Sequence, residues 1–208
     1  ARETSGDFYD LIDLPGDRLG IVVADVADKG MGAALYMALS RTLFRTYAVD
    51  HPDRPDLALR AANERILADT HAGLFVTVFY GVLDPEAATL TYCNAGHHPP
   101  FLNEPEGGGA LLPGRGMALG VVPEPDWGHT TVSIPPGGQV LLYTDGIVDA
   151  LSPDGGRFGL EEALSLVRGQ LGRPAAQVQA ALLSRLQEFM GDEPQFDDIT
   201  LVVLAREA

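Results

Sequence analysis

The chain has 208 residues, 46% of them hydrophobic, and carries 29 acidic against 14 basic residues for a net charge of −15. That length suits one well-buried domain and is short for two, and the composition excludes wholesale disorder. The charge argues against nucleic acid and anionic membrane surfaces as partners. No apolar run approaches the roughly 18–20 residues of a membrane span, and no basic segment followed by an apolar one reads as a signal peptide.

In chain order, Asp7 to Leu14 alternates in part and ends at the turn signal Pro15-Gly16-Asp17, after which Leu19 to Asp25 runs apolar and β-branched. This predicts a β-hairpin. Past Gly30-Met31-Gly32 the period changes, and Ala33, Leu35, Met37, Leu39, Leu43, Phe44 and Tyr47 predict a helix up to Val49. The segment His51-Pro52-Asp53-Arg54-Pro55 breaks it, and a second helix is expected from about Asp56 to Asp69. Phe75 to Leu83 and Thr89 to Cys93 flank Asp84-Pro85-Glu86 and form a second predicted hairpin. Short strands at Phe101-Leu102 and Ala110 to Leu112 are separated by a surface tip at Glu104 to Gly109. Thr130 to Ile134 and Gln139 to Tyr143 flank Pro135-Pro136-Gly137-Gly138, which predicts a third hairpin. Helices at Leu160 to Leu171 and Ala175 to Met190 and a last strand at Ile199 to Leu204 complete the chain. Antiparallel strand runs with helices in two pairs indicate an α+β layered sandwich. The sequence opens almost inside a strand motif, so residues 1–208 are expected to be a single domain cut from a longer protein. The single cysteine, Cys93, excludes an internal disulfide and suits a reducing, cytoplasmic setting; inside a predicted strand it reads as core.

Four acidic motifs are the chemical content of this pattern. They are Gly6-Asp7-Phe8-Tyr9-Asp10, Asp25-Val26-Ala27-Asp28-Lys29-Gly30, Thr144-Asp145-Gly146 and Phe196-Asp197-Asp198-Ile199-Thr200. Aspartate and glycine are common in such loops merely as turn formers and helix caps. Here, however, each carboxylate stands at the end of an apolar β-type run, where a sheet can deliver distant side chains to one point. Two aspartates meeting there repel by about 3–4 kcal/mol at roughly 4.5 Å and an effective dielectric near 20. No motif contains an arginine beside its aspartates, so a hard divalent cation is the expected counter-charge, with Mg²⁺ or Mn²⁺ better suited than Zn²⁺ to carboxylate and water ligands. Asp197 and Asp198 point to opposite sides of an extended segment, so one of them is expected at the site. Asn94-Ala95-Gly96-His97-His98-Pro99-Pro100 reads as a structural turn, because adjacent histidines on an extended segment also point apart. The Asp-Gly at 145–146 is similar to part of the haloacid dehalogenase phosphatase motif, but Tyr143 stands where that family has its first aspartate.

Six short motifs in order resemble the SpoIIE-like branch of the PPM, or type 2C, protein phosphatases. They are Gly-Asp-Phe-Tyr-Asp, Asp-Val-x-x-Lys-Gly-x-x-Ala-Ala-Leu, Phe-Val-Thr-x-Phe-Tyr-Gly, Asn-Ala-Gly-His-x-Pro-Pro, Tyr-Thr-Asp-Gly and Asp-Asp-Ile-Thr, spread from Gly6 to Val203. The resemblance implies an α-β-β-α sandwich of two central antiparallel sheets, and a serine/threonine phosphatase dependent on two Mn²⁺ or Mg²⁺ ions. It makes Asp7, Asp25, Asp145 and Asp197 the catalytic set, all four as metal ligands, with the main-chain carbonyl of Val26 as a fifth. Asp25 would bridge ions about 3.5–4 Å apart, Asp145 and Asp197 completing one and Asp7 with Val26 the other. A phosphorylated STAS-domain protein is the implied substrate, with the input signal read by an N-terminal sensor domain. Eukaryotic relatives add a phosphate-gripping arginine near the first motif and a histidine proton donor after the central Asp-Gly. Here the arginine nearest the first motif in sequence is Arg2, and no histidine follows Asp25 in its motif. A non-catalytic pseudo-phosphatase would have lost ligands, and none of the four is lost; a hydrolase of small phosphate esters is the other alternative.

Overall fold

The computed structural model describes residues 6–69, 73–106, 109–114, 116–195 and 197–208. Three residues or segments of the sequence reading, Arg2, Phe196 and Gly107-Gly108 of the 104–109 tip, lie outside the described residues. The chain divides into two compact units, Ala1–Pro99 with Pro113–Ser133, and Pro100–Leu112 with Ile134–Ala208. It is a mixed α+β protein with two antiparallel sheets.

The first unit holds strands β1 (Phe8–Leu14), β2 (Arg18–Val26), β3 (Val76–Asp84), β4 (Thr89–Ala95) and β7 (Thr130–Ser133), and helices α1 (Met31–Asp50) and α2 (Pro55–Asp69). Its sheet order is β1-β2-β3-β4-β7. Alternation decides which face each strand buries. Phe8, Ile12, Leu14, Val22, Ala24, Val26, Val76, Val78, Tyr80 and Val82 pack with the helices. The helices answer with residues about one turn apart: Ala33, Tyr36, Phe44 and Ala48 on α1, and Ala58, Leu59, Ala62 and Ile66 on α2. α2 starts with Pro55, whose missing N–H costs nothing at a first helical position. Cys93 lies in this core, where burial and then the charge of Asp56 push its thiol up to about 12.

The second unit holds β5 (Phe101–Asn103), β6 (Ala110–Leu111), β8 (Gln139–Tyr143) and β9 (Leu201–Ala205), in the order β6-β5-β8-β9. Its helices are α3 (Asp145–Val148), α4 (Leu160–Arg168) and α5 (Ala175–Met190). Leu141, Tyr143, Ile147, Phe158, Leu164, Val167, Val178, Leu182 and Leu186 form its core. The short α3 was not foreseen.

The third predicted hairpin does not form. β7 pairs with β4 in the first sheet, whereas β8 pairs with β5 and β9 in the second. Two features explain it. Pro135 and Pro136 have no N–H to continue a ladder. Further, β8 is buried at all five positions while β7 is largely exposed, so β8 belongs inside a sheet and β7 at an edge.

Asp10, in the first acidic motif, is nearly buried and held by α1. Its carboxylate accepts from Arg45 Nε at 2.6 Å, from Arg45 Nη2 at 2.8 Å and from Arg41 Nη2 at 3.3 Å. Arg41 and Arg45 are one turn apart and share a helix face. Burial alone would raise the Asp10 pKa, but hydrogen bonds and charge from Arg45 and Arg41 outweigh it and hold the carboxyl below its usual value. The ionised form is what the guanidinium groups hold, so its stabilisation is complete above the ordinary carboxylate range and is lost as pH falls through the lowered native value. Asp10→Asn should therefore cost roughly 1–3 kcal/mol of unfolding free energy at pH 7, with the gap to wild type narrowing below about pH 4; urea titrations at pH 7 and pH 3.5 measure both.

Candidate functional site

Register builds the first half of the site. β1 pairs with β2 through Phe8↔Ala24, and β2 pairs with β3 through Asp25↔Thr77. One step beyond Phe8, the same register sets Asp7 across from Asp25, and the Val26 amide donates to the Gly6 carbonyl at 3.4 Å. Residues directly opposed in an antiparallel pair share a sheet face. Asp7, Asp25 and Thr77 therefore share the face opposite α1 and α2, because the alternate residues Phe8, Ala24, Val26, Val76 and Val78 are those packed on the helices. Asp7 and Asp25 are half-buried. Like charges placed directly opposite one another on a sheet are destabilising, so this pair favours a cation. Gly6 is required here: a Cβ on it would lie 2.9 Å from the Val26 carbonyl oxygen.

After β2 the chain makes a strained loop. Asp28 has φ 111° and Gly30 φ 92°, and the Asp28 carboxylate accepts from the Lys29 amide at 2.8 Å. Lys29, the single lysine of the sequence, is exposed. The Ala27 amide donates to the Phe75 carbonyl at 2.9 Å, tying the loop to the start of β3. Helix α1 follows directly, without a side-chain cap or an acidic residue in its first turn.

The second unit supplies the other two aspartates. Asp145 opens α3 immediately after β8, and the β8–β9 register, Tyr143↔Leu201, brings this end of β8 to residues 197–200. The Thr144 amide donates to the Thr200 carbonyl at 3.0 Å, and the Thr200 amide donates to Thr144 Oγ1 at 3.1 Å. Asp197 Oδ1 accepts the Asp198 amide at 2.8 Å, and both aspartates are half-buried. Gly146 packs so closely under this segment that an added Cβ would collide with the Asp198 carbonyl. Asp149, nearby in sequence, is instead paired with Arg157 at 2.7 Å and is 42% exposed.

Among the described residues no three His, Cys, Asp or Glu side chains form a ready-made metal cluster. Within its own unit each half of the expected set is delivered to a strand end: Asp7 and Asp25 in one, Asp145 and Asp197 in the other. The donors this expected set would offer are all oxygens, carboxylates and a main-chain carbonyl, a chemistry that fits Mg²⁺ or Mn²⁺ and not a thiolate- or imidazole-bound metal.

Two findings were outside the sequence reading. Among the described residues, Arg41 and Arg45 of α1 reach the first motif and both bind Asp10. The Asn94–Pro100 turn does more than reverse the chain. Asn94 clamps it, donating from Nδ2 to the His97 carbonyl at 3.1 Å and accepting the His97 amide on Oδ1 at 2.8 Å. The buried His97 then meets Thr77, Nδ1 to Oγ1, at 2.9 Å, while His98 is exposed. Their rings nevertheless lie 6.2 Å apart, edge to face, so the two histidines do not point to opposite sides as an extended segment predicts. The signal that could have found this contact was Thr77 itself, a polar residue in an otherwise apolar run from Phe75 to Val82.

This sheet topology is that of PP2C-type phosphatase domains: the SiaA PP2C domain of Pseudomonas aeruginosa aligns with a TM-score of 0.86 at 24% identity, over 98% of this chain and 81% of that one. RsbX, solved in complex with magnesium, aligns with a TM-score of 0.67 at 19% identity, over 96% and 86%. The chain belongs to the stage II sporulation protein E (SpoIIE) family, whose sequence model matches residues 15–207. It is 31% identical to protein IcfG of Synechocystis sp. over 99% of its own length and 36% of that protein. It is 27% identical to the phosphoserine phosphatase RsbU of Bacillus subtilis over 99% and 61%. The chain thus spans between about a third and three-fifths of these relatives. No helix among the described residues is long and apolar enough to cross a membrane.

The packing of Gly146 against residues 197–198 is directly testable. Gly146→Ala should lower stability by about 1–3 kcal/mol through overpacking. Gly128→Ala, whose Cβ meets nothing within 4 Å, should stay within about 0.5 kcal/mol of wild type. Chemical denaturation of the two variants distinguishes them.

Proposed function

We propose that this domain is a metal-dependent phosphoprotein phosphatase that hydrolyses phosphoserine or phosphothreonine, with a phosphorylated STAS-type protein in a cytoplasmic signalling circuit as its substrate. The observation that carries the reading is the Asp7–Asp25 pair, two carboxylates opposed across adjacent strands on one sheet face. The family and the relative named a phosphoserine phosphatase support it.

In this reading Asp7, Asp25, the Val26 carbonyl, Asp145 and Asp197 hold two Mn²⁺ or Mg²⁺ ions. Such ions, when bound, supply an activated water and neutralise charge on the phosphoryl group. The protein's own contribution is position. The buried β2 fixes Asp25, and the paired strand β1 sets Asp7 opposite it. The Thr144–Thr200 hydrogen bonds fix the segments carrying Asp145 and Asp197. The Asp28–Gly30 loop leaves the start of α1 uncapped by any side chain, a field that favours an anionic substrate.

The direct experiment is phosphate release from a phosphorylated STAS protein with Mn²⁺ and then with EDTA. Activity should require the metal and vanish with the chelator; full activity in metal-free protein would sink the two-ion reading. Metal should also raise the melting temperature by binding the folded state. Asp25→Asn keeps the size of the side chain but removes its negative charge and one of its two oxygen donors, so turnover should fall by about two orders of magnitude or more. Asp149→Asn, at the Arg157 surface pair, should cost far less; equal losses would mean that Asp25 is misassigned.

The adjacent aspartates give a second test. Asp197→Asn should be nearly inactive even at raised Mn²⁺, while Asp198→Asn keeps substantial activity. The reverse result would move the ligand role to Asp198 and leave the rest of the reading standing.

A further inference from the structure

We infer that Thr77 and His97 form a positioning pair that sets Asp25 for metal binding; this deepens the proposed function and rests on it. Thr77 is the cross-strand partner of Asp25, so its hydroxyl lies on the same face as the carboxylate. Its Oγ1 makes two contacts, to the Asp25 carbonyl at 3.5 Å and to His97 Nδ1 at 2.9 Å. A hydroxyl has a single proton to give. With that proton directed to the Asp25 carbonyl, Thr77 accepts from His97, which places the imidazole proton on Nδ1.

His97 is itself held. It is 7% exposed, and Asn94 fixes its backbone through both its amide and its carbonyl. Gly96, at φ 78°, allows the turn, and a Cβ there would lie 3.1 Å from the Ala118 amide. A bridge from Val78 to Gly96 sets this turn beside β3. A rigid imidazole thus bears on Thr77, and Thr77 bears on the main chain of the residue whose carboxylate the metal needs. Groups that orient metal ligands in this way typically change metal affinity by about 10–100-fold when removed.

The test compares Thr77→Val, which keeps the shape and removes the hydroxyl, with Thr77→Ser, which restores it. His97→Asn, which sets an amide near the place of Nδ1, is compared with His97→Leu. Three quantities are read: Mn²⁺ binding by calorimetry, the Mn²⁺-induced rise in melting temperature, and the Mn²⁺ dependence of phosphate release. Thr77→Val and His97→Leu should weaken Mn²⁺ binding by about tenfold or more, shrink the melting shift, and recover most turnover at saturating Mn²⁺. Thr77→Ser and His97→Asn should stay close to wild type.

Unchanged Mn²⁺ binding in Thr77→Val overturns the pair, as does a loss of metal-free stability with an intact metal-induced shift. Failure of Thr77→Val to fold also overturns it, since the hydroxyl would then be a core contact. A wild-type protein that neither binds nor needs Mn²⁺ fails the proposed function instead, so the two failures read differently.

Discussion

A fully buried strand that must end in a carboxylate sets the terms for the first unit. Ile21, Val22, Val23 and Ala24 have no exposed surface, so β2 cannot shift along its neighbours without turning its apolar residues out of the core. A slip by one residue would exchange the two faces of the strand. The same registers that seal this strand also put Asp7 on one side of Asp25 and Thr77 on the other. Core packing therefore fixes the carboxylates, and their mutual repulsion is borne by the hydrophobic burial along the rest of the strand.

The first acidic motif shows how different two aspartates three residues apart can be. Asp10 faces the helices, is nearly buried, and is balanced by two guanidinium groups from α1. Asp7 faces the other way, opposite a second carboxylate. The first is a structural ion pair whose partners are supplied by the fold; breaking it strands charge at the helix–sheet contact. The second is an arrangement that a fold seeking only stability would not choose. Alternation along β1 is what separates the two roles.

Most of the elements were legible in the sequence because the apolar periods are long and the breaks are sharp, as at His51 to Pro55 and at Pro15-Gly16-Asp17. Strand ends bearing aspartate were legible for the same reason. What stayed hidden were matters of partnership. Pro135 to Gly138 has the composition of a hairpin turn, yet β7 and β8 belong to different sheets, because burial on both faces of β8 outweighs adjacency in sequence. Arg41 and Arg45 lie more than thirty residues from Asp10, so their pairing depends on how α1 crosses β1. Thr77 and His97 are likewise brought together by the β3–β4 pairing and a clamped turn, and the histidine motif alone carried no sign of it.

Lys29 has a chemical consequence of its own. The rest of the sequence presents its positive charge on arginine, so this sequence offers acylating reagents one side-chain amine, carried by an exposed residue in the strained loop after β2. A fluorophore, a charge-neutralising acetyl group or a surface tether can be placed beside the Asp25 loop without substituting a residue. The loop thus carries its own address for covalent labelling.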